Sequence, residues 1–131
     1  MNEDVRLQAP YRAKALEAEG GEVRWTADLE REIWGQPTST RDGVLVPIAS
    51  GQVVSLDAEG RERWRVDLKG APSAPVAACR GMVLAGTEAG TLEAFDRVSG
   101  RRLWTFEAGS PVRSPLLCYR GTIYFGTGDN H

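Results

Sequence analysis

The chain has 131 residues, at most one ordinary domain, and its 41% hydrophobic and 26% charged residues are ordinary for a globular protein. Its 16 basic and 18 acidic residues are mixed along the chain to a net charge of -2, which excludes the one-sided basic field of a nucleic-acid binder. No apolar run approaches the roughly 18 residues of a membrane-spanning helix, and 15 Gly with 7 Pro favour turns and strands over helices.

In chain order, "MNEDVRLQAP" has no basic stretch followed by an apolar one, so no secretory signal is predicted. Residues 1–10 have no place in the pattern that follows and are predicted to be loosely ordered. "YRAKALEAEG" is rich in helix formers, yet its register matches later strand-and-hairpin segments. Residues 11–28 are therefore predicted to be the outer hairpin of an incomplete four-stranded unit. Next comes "LEREIWGQ", a connection that reads as longer than its counterparts "LKGAPS" and "EAGSPV". Residues 35–68 and 72–108 each read as four short strands. In the second of these units the strands are "SAPVAAC", "GMVLAGT", "GTLEAFD" and "RRLWTFEA", separated by the turns "CRG", "EAG" and "RVSG". The expected strand length is about 5–7 residues. Residues 111–131 read as the inner half of a further unit, ending "GTGDNH".

These units repeat. The pattern G-x-x-x-W occurs as "GEVRW" (Gly21, Trp25), "GRERW" (Gly60, Trp64) and "GRRLW" (Gly100, Trp104), with tryptophans 39 and 40 residues apart. An apolar-acid pair precedes each glycine, the acids being Glu17, Asp57 and Asp96. Pro37, Pro75 and Pro115 each stand 6 residues before a glycine that opens a β-rich run: "GVLVPI", "GMVLAG" and "GTIYFG". A period near 40 residues with four strands per unit predicts an all-β, partial β-propeller of four-stranded antiparallel blades, about three blade equivalents in all.

Within that fold the acid and the glycine mark the hairpin between a blade's third and fourth strands. The tryptophan then lies on the fourth, outermost strand, whose free edge invites aggregation unless covered. Trp25, Trp64 and Trp104 are predicted to fold back onto a neighbouring blade, each removing roughly 150–250 Å² from water. Trp64 and Trp104 are each expected to find that neighbour inside this chain, and Trp25 to dock on the first complete blade.

"AFDRVSGRRLW", "SLDAEGRERW" and "ALEAEGGEVRW" resemble the tryptophan-docking repeat of the PQQ-like, quinoprotein-type β-propellers, which runs roughly alanine-x-acid-x-x-x-Gly-x-x-x-Trp. Ser55 replaces the usual Ala, Glu17 the usual Asp, and the turn after Asp57 is one residue shorter. The resemblance covers residues 11–131. It implies one of several functions, because the family includes PQQ-dependent alcohol and sugar dehydrogenases, the lipoprotein scaffold of the bacterial outer-membrane β-barrel assembly machine, and accessory modules. Relatives of this kind work mostly outside the bacterial cytoplasm, in the periplasm or cell envelope. The dehydrogenases resemble one another in a Ca²⁺-binding carboxylate and amide set, a catalytic Asp, and adjacent cysteines against the cofactor.

This chain has no Cys-Cys pair. Cys79 and Cys118 are separate, Cys118 aligns with Ala78, and two cysteines do not make a disulfide scaffold. His131 is the single histidine, so no nucleophilic triad can be assembled, and Asp129, Asn130 and His131 read as a turn rather than a metal site. No catalytic residue, cofactor or metal is predicted. The predicted function is a non-catalytic protein-binding or scaffolding propeller segment, part of a larger propeller; the alternative is part of a PQQ-dependent alcohol or sugar dehydrogenase. Trp34 lies outside the periodic set, and Trp and Arg are common interface anchors. The expected contact surface is one rim: Arg31, Glu32, Trp34, Lys69 and Glu88. Expected partners are a protein, and either the rest of a propeller or a second copy joined head-to-tail; nucleic acid and membrane insertion are not expected.

Overall fold

The computed structural model describes residues 12–29 and 31–128. Its elements are β1 (Arg12–Leu16), β2 (Val23–Asp28), β3 (Thr38–Thr40), β4 (Gly43–Ile48), β5 (Gln52–Leu56), β6 (Glu62–Asp67), β7 (Ala77–Cys79), β8 (Met82–Gly86), β9 (Thr91–Asp96), β10 (Arg102–Glu107), β11 (Leu117–Tyr119) and β12 (Thr122–Tyr124). Every pairing is antiparallel between sequence neighbours: a hairpin β1-β2, two complete blades β3-β4-β5-β6 and β7-β8-β9-β10, and a hairpin β11-β12. This is an all-β, open stretch of propeller. The helix-forming segment at its start is the strand β1, held to β2 along its whole length. Tertiary pairing overrides local propensity there.

The innermost strands stand side by side, β3 against β7 and β7 against β11, and the Thr38 hydroxyl donates to the Val76 carbonyl at 2.6 Å. These inner strands have only three residues, shorter than the 5–7 expected. The chain makes one isolated bridge to the neighbouring strand (Ile33↔Ile48, Pro72↔Thr87, Val112↔Thr127) and leaves the ladder before the inner strand begins. Pro37, Pro75 and Pro115 lie in these interrupted stretches, where a missing N–H breaks the ladder.

The connections between blades also differ from expectation. Residues 29–37, 68–76 and 108–116 are each nine residues long, so the stretch carrying Trp34 is not longer than its counterparts. Its "EREI" resembles a longer loop only because its polar residues hide the bridging position that Pro72 and Val112 fill in the other two.

The core consists of one apolar cluster per blade interface. Leu29, Val46, Ile48, Val54 and Leu56 meet Ala13, Trp25 and Ala27 of the first hairpin. Leu45, Val53 and Trp64 meet Val76, Val83 and Ala85. Leu84, Leu92 and Ala94 meet Leu116, Cys118, Ile123 and Phe125. Alternation along each strand sends one set of side chains to the preceding blade and the other to the following one.

Candidate functional site

Each outer-strand tryptophan sits opposite a small residue on its neighbouring strand: Trp25↔Ala15, Trp64↔Ser55 and Trp104↔Ala94. A register shift falls beside each pair, between Ala15 and Leu16, Ser55 and Leu56, and Arg102 and Trp104. Such bulges re-aim side chains. Two of the three rings reach the next blade. The Trp25 indole N–H donates to the Ala58 carbonyl at 2.8 Å, and that of Trp64 donates to the Arg97 carbonyl at 2.9 Å. Both rings lie directly on the glycine of the next hairpin. A Cβ on Gly60 would stand 2.5 Å from the Trp25 ring, and one on Gly100 would stand 2.8 Å from the Trp64 ring. Gly21, Gly60 and Gly100 hold φ of +75°, +85° and +78°, open to glycine at little cost.

Trp104 departs from the expectation that it finds a neighbouring blade inside the chain. Among the described residues its indole has no hydrogen-bond partner, and it is 37% exposed where Trp64 is 8%. The reason is topological: the hairpin β11-β12 supplies inner strands only, and the ring needs an outer hairpin. Gly21 is the converse case, with no atom within 4 Å of a Cβ built on it.

The hairpin acids set the glycines. One Asp57 oxygen accepts the N–H groups of Glu59 at 2.9 Å and Arg61 at 2.8 Å. One Asp96 oxygen accepts the N–H groups of Val98 at 3.1 Å and Ser99 at 2.8 Å, and the Ser99 hydroxyl at 3.0 Å. The Arg61 N–H holds the Asp57 carboxyl below its ordinary value, and the Ser99 N–H does the same for Asp96. Glu17 is longer and turns outward to Arg24 at 3.2 Å, leaving its turn to the backbone bonds Glu17 N to Glu22 O and Gly21 N to Glu17 O, both 2.8 Å.

Several side chains that carry no repeat signal join the blades. The fully buried Glu93 carboxylate accepts the Lys69 N–H at 2.9 Å and the Thr91 hydroxyl at 2.8 Å, and pairs with Arg102. Arg102 also donates to the Asp67 carbonyl at 2.8 Å, which ties the two complete blades together. Asp42 receives Arg97 at 2.6 Å across the same interface, and this bond holds its carboxyl below the ordinary range. Cys79 and Cys118 form a disulfide between β7 and β11, with Cα atoms 5.5 Å apart. The two cysteines, 39 residues apart in the sequence and read there as no disulfide scaffold, are thus bonded across adjacent blades. The repeat register aligns Cys118 with Ala78, but facing inner strands of adjacent blades meet diagonally, one position out of register.

The candidate rim residues occupy three loops. Arg31, Glu32 and Trp34 lie between β2 and β3, Lys69 between β6 and β7, and Glu88 between β8 and β9. Backbone bonds fix these loops: Ala49 N to Glu32 O at 2.8 Å, Trp34 N to Pro47 O at 2.9 Å, Leu68 N to Gly51 O at 2.8 Å and Glu88 N to Ala71 O at 2.8 Å. Arg31, Glu32, Lys69 and Glu88 are exposed and Trp34 half-buried. Glu88 pairs with Arg113 at 2.8 Å, joining this rim across the next interface. Among the described residues no group of three or more His, Cys, Asp or Glu could hold a metal. Both cysteines are bonded to each other rather than to a chain neighbour. Asp129, Asn130 and His131, and residues 1–10, lie outside the described residues.

Four-stranded antiparallel blades whose outer tryptophan docks on the glycine turn of the next blade define a tryptophan-docking, PQQ-like β-propeller segment. Residues 11–131 match the family described as outer membrane protein assembly factor BamB, and the chain belongs to that family. It is 37% identical over 95 residues to the outer membrane protein assembly factor BamB of Nitrosomonas eutropha, an alignment covering 72% of this chain and 23% of the relative. The chain thus spans about a quarter of that relative's length. Among solved structures, BamB from Moraxella catarrhalis superposes with a TM-score of 0.79 at 23% identity, over 91% of this chain and 38% of that one. A europium-containing methanol dehydrogenase superposes with a TM-score of 0.64 at 18% identity, over 72% and 21%. Both likenesses concern the fold.

Proposed function

We propose that this chain is a non-catalytic, protein-binding or scaffolding segment of a propeller, and that its rim around Arg31, Glu32, Trp34, Lys69 and Glu88 is the contact surface. The observation that carries the reading is the family match over residues 11–131. The curated relative is named as an outer membrane protein assembly factor, so the proposed partner is a protein of the outer-membrane assembly machinery. The rim suits this role: a half-buried tryptophan amid charged side chains, on loops fixed by backbone bonds to rigid blades. The Cys79–Cys118 disulfide favours an oxidising compartment such as the bacterial periplasm. The remaining blade faces are proposed to be covered by further propeller repeats or by a second copy.

The test is affinity purification of the tagged chain from bacterial envelopes, comparing wild type with Trp34→Ala and Lys69→Glu. Loss of the co-purifying assembly protein at an unchanged melting temperature is expected; retention by both variants moves the contact surface elsewhere. Dye-linked alcohol or sugar oxidation after addition of PQQ and Ca²⁺ would establish the dehydrogenase reading instead.

A further inference from the structure

The turn between first and second strands carries an arginine in each unit. Arg41, Arg80 and Arg120 stand 39 and 40 residues apart, the period of the docking tryptophans. All three are exposed, and among the described residues none of their guanidinium groups is paired with a carboxylate. The turn itself does not call for arginine. Arg80 and Arg120 hold φ of +58° and +52°, in the left-handed region where Gly or Asn sits more easily. Arg120 lies over the ring of its own neighbour Tyr119. Arg80 reaches across to the turn that holds Arg120: a Cβ on Gly121 would stand 2.9 Å from one of its guanidinium nitrogens.

These turns open on the end of the blades opposite the loops of Arg31, Trp34, Lys69 and Glu88. Two more arginines reach the same place from the outer hairpins. Arg97 donates to Asp42 at 2.6 Å and to the Arg80 carbonyl at 3.3 Å. An Arg63 nitrogen stands 3.5 Å from the same Asp42 oxygen, and that nitrogen is buried without a hydrogen bond. Asp57 and Asp96 are held by the N–H groups of their own hairpins. At the seam between the two complete blades, cationic donors therefore outnumber acceptors. Both walls of that seam belong to complete blades, so its charge is set by the blades themselves.

We propose that this arc of arginine turns is a docking surface for an extended, acidic segment of a partner protein, whose carboxylates take the guanidinium groups of Arg41, Arg80 and Arg120 in turn. The planar fork of arginine matches a carboxylate with two hydrogen bonds. Inner strands of adjacent blades come to 5.5 Å between the Cα atoms of Cys79 and Cys118. Alternate residues of an extended chain are roughly 7 Å apart. One acid at every second residue thus keeps step with one arginine per blade. The rest of this end selects a narrow occupant over a broad one. Glu19, Glu22 and Glu59 are exposed on outer hairpins that open on the same end. A flat anionic membrane pressed against it meets both signs of charge, whereas a peptide along the inner arc meets arginine. This surface is separate from the Trp34 rim and does not depend on that rim binding anything.

Fluorescence anisotropy of a labelled peptide of alternating Glu and Ser, titrated with the 131-residue chain at low ionic strength, tests it. Saturable binding that weakens with added salt is expected, with none for the matching peptide of alternating Lys and Ser. Asn tolerates the left-handed region, so Arg80→Asn combined with Arg120→Asn removes two charges without adding strain. That double variant should keep or raise the melting temperature and weaken binding roughly tenfold. Arg41→Gln, at the turn of the first complete blade, should weaken it roughly threefold. Trp34→Ala should bind the peptide as wild type does, which separates this surface from the rim. Absence of saturable binding, equal binding of both peptides, or full binding by a double variant that melts normally overturns the assignment. A lowered melting temperature of the double variant gives the arginines to the fold and overturns it as well. Sedimentation of the chain with phosphatidylglycerol vesicles, lost in the double variant, would give the arc to a lipid headgroup and overturn the peptide.

Discussion

The Trp64 ring rests on Gly100 of the next blade, and its indole N–H reaches past that glycine to the Arg97 carbonyl at 2.9 Å. One side chain thus supplies apolar cover and a satisfied donor at a blade interface. Trp64→Ala removes a ring that is 8% exposed, a loss of about 3–5 kcal/mol on the usual scale for a buried aromatic. Under conditions that hold the chain monomeric, Trp104→Ala should cost far less, because Trp104 is 37% exposed. Urea unfolding of both variants checks the order. Equal losses would mean that Trp64 contributes nothing through its dock.

The glycines beneath the rings should rank in the same way. Gly60→Val and Gly100→Val combine a positive φ with a Cβ driven to 2.5 Å and 2.8 Å from the indole, so both should unfold the interface. Gly21→Ala meets the same φ in open space, and should cost only about 1 kcal/mol. Thermal melts of the three variants decide whether contact or backbone strain dominates.

Much of this was legible in the sequence because a propeller writes its register into a few positions. An outer-strand ring, a glycine with positive φ and an acid at the turn, which caps it in the two complete blades, recur once per blade and so stay in step. Glu93 shows what is not legible. It alternates along β9 like any solvent-facing glutamate, and only the packing of β10 and the Lys69 loop turns it into a buried ion pair. Arg97 and Asp42 are hidden for the same reason, since each lies in a turn and the partner belongs to another blade. The disulfide escaped because repeat alignment compares equivalent positions, whereas neighbouring inner strands touch through non-equivalent ones.

The disulfide closes a loop across 39 residues, which predicts roughly 4 kcal/mol of stabilisation from the restricted unfolded chain. Cys118→Ser, or reductant, should lower the melting temperature and expose β11 and β12 to exchange before the complete blades. Thiol titration of the unreduced, denatured protein should find no free thiol. Two titratable thiols would show that the pair does not form.

Acid should weaken the turns. Asp42 is held below the ordinary value of 3.8 mainly by its bond from Arg97, Asp57 mainly by the Arg61 N–H, and Asp96 mainly by the Ser99 N–H. Since each folded value lies below the unfolded one, the stability these carboxylates contribute is fully present above pH 3.8. It is lost as the pH falls through the lower folded values. Denaturation midpoints should therefore drop below about pH 4, and Asp42→Asn should flatten that drop. A variant as steep as wild type would show that Asp42 plays no part in it.

The two partners of the buried pair should differ when removed singly. The Glu93 side chain is fully enclosed, while that of Arg102 is 37% exposed and lies over the Phe95 ring, 5.0 Å from its centre. Arg102→Ala leaves an enclosed carboxylate facing only the Lys69 N–H and the Thr91 hydroxyl, and should cost about 3–5 kcal/mol. Glu93→Gln leaves a guanidinium that can turn to water or keep its bond to the Asp67 carbonyl, and its amide still accepts from Lys69. It should cost clearly less. The double variant Glu93→Leu with Arg102→Leu should recover part of the Arg102→Ala loss, because no uncompensated charge remains. Chemical denaturation of the three proteins measures this. If Glu93→Gln proves the most damaging, the guanidinium, not the carboxylate, is the group that cannot reach water.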